Sequence, residues 1–282
     1  MIFVLGATGK VGRALVPALL DAGAAVRALT RDPAKARIDP RADVVQADLD
    51  TADLPALLDG VDRVFVLTQG AHHEPAVAQA AARAGATHLV KLSTTGVHFG
   101  QPDPITLAHA EAEQAVREAG PAWTILRPGA FMDNRFAWLR TIREENAVYV
   151  PEGDPASALV HVRDIAAVAT LALTTSAHEG ATYQLTGGEA LTTERQVAIL
   201  SDALGREIEY VEEPESAARQ RMTRMYGWPA EAVDGFFALK RASADHEHVV
   251  FGTVERLLGR PPLTFAGWAR ENAAAFTYPY RG

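Results

Sequence analysis

Gly6-Ala7-Thr8-Gly9-Lys10-Val11-Gly12 decides how this chain folds, because of what flanks it. Ile2 to Leu5 is an apolar run long enough for one buried strand, and Leu15, Val16, Leu19 and Leu20 recur at helical spacing. The glycines therefore sit at a strand-to-helix turn, where backbone N–H groups and the positive end of a helix converge on one point. Only glycine lets a pyrophosphate approach so closely. The stretch predicts a dinucleotide site at Gly6, Gly9 and Gly12.

Outward from this turn, strand-like runs at 25–30, 43–47, 63–68 and 88–93 alternate with alanine-rich segments, the rhythm of right-handed βαβ units. Helices are expected over 75–84 and 108–118, with Gly85 and Gly120 as stops, and residues 124–126 read as a sixth strand. The fold class is α/β: a doubly wound parallel sheet over residues 1–150, then a mixed segment returning to the sheet and a smaller α+β substrate region over 151–282. In that second part, 194–204 reads as a helix begun by Thr192 or Thr193 and stopped by Gly205, and 207–211 as a strand. The stretch 217–242 reads as helical and carries Met222, Met225, Tyr226, Trp228, Phe236 and Phe237. These large groups either pack the small domain or, in part, line a pocket for a flat apolar ligand, with Met225 and Trp228 as candidates.

Composition excludes several classes. Balancing 27 basic against 35 acidic residues leaves a net charge of −8 with no basic cluster, which argues against a nucleic-acid surface. The absence of cysteine removes disulfides, thiol catalysis and thiolate-held metals. No apolar run approaches the roughly 20 residues of a membrane span, and the first strand begins almost at Met1, so a cytoplasmic location is expected.

The second strand narrows the cofactor. Val26-Arg27-Ala28-Leu29-Thr30-Arg31-Asp32 ends in a base where a protein reading a free ribose 2′-hydroxyl places a carboxylate, so Arg31 points to a 2′-phosphate and to NADPH over NADH. Asp32, followed by Pro33, reads equally well as a turn or cap. Asp48 and Leu49 close the third strand at the height of an adenine, and Thr68 and Gln69 close the fourth beside the cofactor's middle; both pairs also suit ordinary loop capping.

Together with the glycine turn and residues 27–33, Lys91-Leu92-Ser93-Thr94 and Leu126-Arg127-Pro128-Gly129-Ala130-Phe131-Met132-Asp133-Asn134 make the chain resemble the NmrA-like branch of atypical short-chain dehydrogenases. That branch includes NADPH-dependent quinone and azo reductases, ketone reductases and cofactor-sensing regulators. The resemblance implies a Rossmann-like fold. It also implies that Thr8, Lys10 and Val11 join the glycines at the pyrophosphate, and that Gly129 to Asn134 pass near the nicotinamide with Phe131 as an apolar wall. Arg163 matches a motif returning toward the cofactor; beside Asp164 it also reads as a helix-start pair.

Better-known members of the wider superfamily use a serine after the fifth strand and a Tyr-x-x-x-Lys on the next helix. Here Ser93 is present, but the helix reads His109-Ala110-Glu111-Ala112-Glu113. Residues 109 and 113 share a helix face, so Glu113 is expected to orient a His109 of near-neutral pKa that acts as general acid. The reading is then an NADPH-dependent reductase of a quinone, aromatic or polycyclic ketone, since such acceptors spread the negative charge and depend less on strong protonation. A cofactor-sensing regulator without turnover, and a redox-neutral enzyme using bound cofactor, are the alternatives. His72-His73-Glu74 and Asp245-His246-Glu247-His248 resemble metal clusters by composition alone, and no metal is expected.

Overall fold

The computed structural model describes residues 1–68 and 71–277. Seven strands form one parallel sheet in the order β3-β2-β1-β4-β5-β6-β8: β1 (Ile2–Val4), β2 (Val26–Thr30), β3 (Asp43–Gln46), β4 (Arg63–Val66), β5 (His88–Leu92), β6 (Ala122–Pro128) and β8 (Ala181–Leu185). The order reverses direction beside β1. Right-handed crossovers therefore put the helix Gly12–Asp21 on one face and the helices Glu74–Arg83 and Pro104–Glu118 on the other. Both faces being covered, the central strands are almost wholly buried: Val64, Phe65 and Val66 in β4 and all five residues of β5, with His88 and Lys91 among them. Phe3, Leu5, Val64, Val66, Leu89 and Ile125 meet Val77, Ala78 and Val116 in the core of the second face.

The chain divides into two units. The sheet unit comprises Met1–Pro128, Val162–Leu185 and Thr253–Arg260; the other takes in Gly129–His161, Thr186–Gly252 and the segment starting at Pro261. In the second unit β7 (Ala147–Pro151) pairs in parallel with β9 (Glu209–Glu213), and the helices Thr193–Leu204 and Phe265–Thr277 pack together. Its core joins Val148, Val150, Val197 and Leu200 to Phe265, Trp268 and Phe276, with Trp268 Nε1 donating to Asp133 Oδ1 at 2.9 Å.

Several boundaries differ from the sequence reading for local reasons. The helix expected from 108 starts at Pro104, because the Asp103 side chain accepts from the amides of Ile105 and Thr106, both at 3.0 Å, and Pro104 needs no amide partner. The single helical stretch 217–242 is two helices, Glu215–Tyr226 and Ala230–Ser243; Gly227 turns left-handed at φ +66° and Pro229 starts the next helix. The strand read at 207–211 lies at Glu209–Glu213. β7 and β8 escaped the sequence reading; β8 carries four half-buried residues out of five and lacks an apolar run.

Candidate active site

The turn after β1 is tight. Gly9 N donates to Gly6 O at 2.9 Å, Gly6 has φ +65°, and a Cβ on Gly12 would stand 2.2 Å from Gly6 O. No side chain caps the helix Gly12–Asp21, and the amides of Val11 and Gly12 find no acceptor among the described residues. Free donors at the positive end of a helix, against a backbone that has no room for a Cβ, fit a pyrophosphate. Thr8 is half-buried there, the Val11 side chain is buried, and Gly9 and Lys10 are exposed.

The other expected cofactor residues follow the carboxyl ends of neighbouring strands. The Arg31 guanidinium is exposed and makes no hydrogen bond or ion pair with the described residues, while Gln46 Nε2 donates to its carbonyl at 3.0 Å. Asp32 is a turn cap: its carboxylate takes Lys35 N at 3.3 Å and pairs with Lys35 Nζ at 3.0 Å. Asp48 likewise accepts from Asp50 N at 3.1 Å, and Leu49 packs against the core. Thr68 N donates to Glu74 Oε1 at 2.9 Å. Gln69 lies outside the described residues. Gly129 follows β6 directly; Phe131 bridges Val160 through the backbone, and Asn134 N donates to Phe131 O at 3.0 Å.

The expected partner of His109 is corrected. Glu113, almost wholly buried, is occupied elsewhere: Arg127 clamps it through Nε to Oε1 at 2.8 Å and Nη2 to Oε2 at 2.6 Å, Arg117 adds 2.9 Å, and Ser93 Oγ donates at 2.6 Å. Burial alone would raise its pKa, but the hydrogen bonds from Arg127 and Ser93 outweigh that and hold the carboxylate below its usual range. Ser93 thus spends its one proton on Glu113.

His109 pairs instead with Lys91, Nδ1 to Nζ at 2.9 Å. Burial first, and the lysine's charge second, bring its pKa down to about 4, so the near-neutral value expected from sequence gives way to a ring that is uncharged at pH 7. Lys91, on β5, has no solvent exposure and lies 2.7 Å from Glu74 Oε2, itself fully buried. Glu74 therefore leaves His72 and His73, beside which it stands in sequence. Those two come together with Asp50 instead, with ligand atoms all within 4.8 Å of one another and His73 Nε2 3.3 Å from Asp50 Oδ1.

In the second unit, Met222 and Phe236 pack on Ala218, Val233 and Phe237. Met225 is half-buried and its carbonyl accepts from Arg140. Trp228, 39% exposed, meets Phe236 edge-on at 6.0 Å. Asp164 at the start of the helix Val162–Thr174 accepts from Arg260 at 2.7 Å, while Arg163 is exposed. Among the described residues no helix is long and apolar enough to cross a membrane.

Several known proteins are similar to this chain over nearly its whole length. A reductase of (4-alkanoyl-5-oxo-2,5-dihydrofuran-3-yl)methyl phosphate from Streptomyces griseus is 41% identical, over 98% of this chain and 99% of its own length. An NAD(P)H azoreductase from Xenophilus azovorans is 39% identical over 98% and 99%. The NADPH complex of a quinone oxidoreductase from Escherichia coli superposes with a TM-score of 0.83 at 25% identity, covering 96% of this chain and 99% of that one. Residues 6–176 match the model of the NAD(P)H-binding family. The chain belongs to that NAD(P)H-binding family, in its NmrA-like, atypical short-chain dehydrogenase branch.

Proposed function

We propose that this protein is an NADPH-dependent reductase acting on a flat apolar acceptor: a quinone, an azo compound, or an aromatic or polycyclic ketone. The observation that carries the reading is the uncapped helix start, where the Val11 and Gly12 amides stand free over the Gly6 turn. Those amides take the pyrophosphate, and the unpartnered Arg31 takes the 2′-phosphate, a group a guanidinium holds by charge-assisted bonds. Asp48, Leu49 and Thr68 follow at the ends of β3 and β4. When bound, NADPH supplies the hydride.

What the chain adds is position and a proton. His109 Nε2 has no hydrogen-bond partner among the described residues, so it is the donor offered to an acceptor atom that gains charge. Ser93 and Arg127 pin Glu113, one turn along the same helix, and so hold the segment that carries His109. Gly129 and Asn134 join the cofactor's residues, and Phe131, Met225 and Trp228 those of the acceptor. The protein carries this out in the cytoplasm. Loss of NADPH absorbance over a panel of quinones, azo dyes and aryl ketones tests the reading, with NADH in parallel. Turnover with NADPH in preference to NADH is expected; no rate above the uncatalysed one with any acceptor overturns it.

A further inference from the structure

The group that remains unexplained is the buried pair Glu74 and Lys91. Removing a lysine ammonium and a carboxylate from water is costly, so a pair with no exposure calls for a reason. An ammonium has three protons, and Lys91 Nζ has three acceptors within reach: Glu74 Oε2, the carbonyl of Leu92 and His109 Nδ1. A Lys91 that donates to Nδ1 leaves the imidazole proton on Nε2 alone. Glu74 is held in turn by the amide of Thr68 at the end of β4.

We propose that Glu74 and Lys91 are positioning residues that lock His109 as its Nε2–H tautomer and return its proton during reduction; this rests on His109 being the proton donor. As the acceptor oxygen gains charge it takes the Nε2 proton, Nδ1 takes one proton from Nζ, and Lys91 is left as a neutral amine. After product leaves, Nε2 takes a proton from water, Nδ1 gives its proton back to Nζ, and the starting state is restored. The groups facing His109 favour this exchange: Lys91 from β5 disfavours a charged ring, while Glu113 on its own helix and Asp103 at that helix's start oppose it more weakly. Burial lowers the Lys91 pKa and raises that of Glu74, with their mutual attraction opposing both, so the cost of moving a proton out of the lysine is reduced.

The experiment is nitrogen-15 NMR of the histidine rings in the whole protein without cofactor, the His109 signals among the nine histidines being assigned by their loss in His109→Gln. Wild type is expected to show Nδ1 bare and Nε2 protonated at pH 7. The variant Lys91→Met, and the charge-balanced double variant Glu74→Gln with Lys91→Met should the single one fold poorly, are expected to show a tautomer mixture. Their kcat falls by about 10- to 100-fold while the Kd for NADPH stays put, since a misplaced imidazole tautomer fails as a proton donor. A protonated Nδ1 in wild type, or a tautomer unmoved in the folded variants, overturns the lock whatever the turnover. If the tautomer shifts as stated but His109→Gln itself keeps full turnover, the reading of His109 as donor fails, and the proton-return step fails with it.

Discussion

Replacing Gly12 by alanine puts the cofactor reading under its hardest test. The added Cβ would lie 2.2 Å from Gly6 O, 2.6 Å from Ala7 Cα and 2.8 Å from Ala7 C, all backbone atoms that cannot swing aside. Van der Waals contact is reached at about 3.5 Å, so the helix start has to retreat by roughly 1 Å from the turn. The amides of Val11 and Gly12 move with it, and a misplacement of about 1 Å in a positioning group costs about 10²-fold. In binding terms that is about 2.7 kcal/mol. Overpacking of this sort also lowers stability by about 1–3 kcal/mol, a fall in Tm of roughly 2–12 °C for a chain of this size. Gly9→Ala is the graded control: its Cβ would meet Gly6 O at 3.2 Å, tight but within reach of a small adjustment, so a much smaller loss is expected. Fluorescence titration with NADPH and a thermal melt read both effects. Equal NADPH affinity in wild type and Gly12→Ala, or Gly9→Ala as damaging as Gly12→Ala, refutes the reasoning.

Arg31→Ala is expected to weaken NADPH by about 10- to 100-fold and leave NADH nearly unchanged, because a charge-assisted bond to phosphate is worth about 1.5–3 kcal/mol; the ratio of the two Kd values checks it. Stability should fall as pH drops from 6.5 toward 4. His88 and His109 are neutral in the fold with pKa values of about 4, each held down first by burial and then by a cation, Arg63 and Lys91 respectively, so in this window these two rings take up protons only in the unfolded chain. Well above pH 6.5 neither state protonates them, and the urea midpoint should level off; His109→Gln should flatten the slope. Arg127→Met strips the bidentate clamp from a buried Glu113 that keeps Ser93 and Arg117, and should cost about 2–3 kcal/mol in urea unfolding.

The sheet was legible because its strands announce themselves: a parallel strand covered on both faces reads as a largely apolar run, and β1, β2, β4 and β5 all do, around Arg27 in β2, Arg63 in β4 and Lys91 in β5. The glycine turn was legible for a related reason, since it stands in chain order between an apolar run and a helical repeat. The Glu74, Lys91 and His109 chain was not. Its members stand 17 and 18 residues apart on a helix, a strand and another helix, and meet only once β4 and β5 are neighbours. Glu74 was read with the adjacent histidines because sequence proximity was the one relation available. One signal was present: Lys91 interrupts His88-Leu89-Val90-Lys91-Leu92, and a lysine inside a run destined for burial has to find an acid. β8 was missed for want of pattern, having no apolar run; the break at Gly227 did carry a signal, a stop glycine two residues before the helix-starting Pro229, which the run of large apolar groups on either side masked.

A neutral imidazole is a weak acid, and that decides which acceptors tolerate its loss. A ketone concentrates the arriving charge on one oxygen, so its transition state draws on a proton from Nε2 and on whatever replenishes Nδ1. A quinone spreads the charge over its ring and second oxygen and takes far less from a donor. His109→Ala should therefore lower kcat/KM by about 10² or more on an aryl ketone, within the usual range for general acid catalysis, and by about tenfold or less on a quinone of similar size. Raising pH from 6 to 8 should leave the wild-type rates on both free of a histidine inflection, because a ring with a pKa of about 4 changes no charge in that span. Steady-state kinetics with matched ketone and quinone pairs at saturating NADPH measure the two losses. Equal losses on the two acceptors would mean that His109 shapes the site and gives no proton, since a shape defect does not distinguish where the acceptor carries its charge.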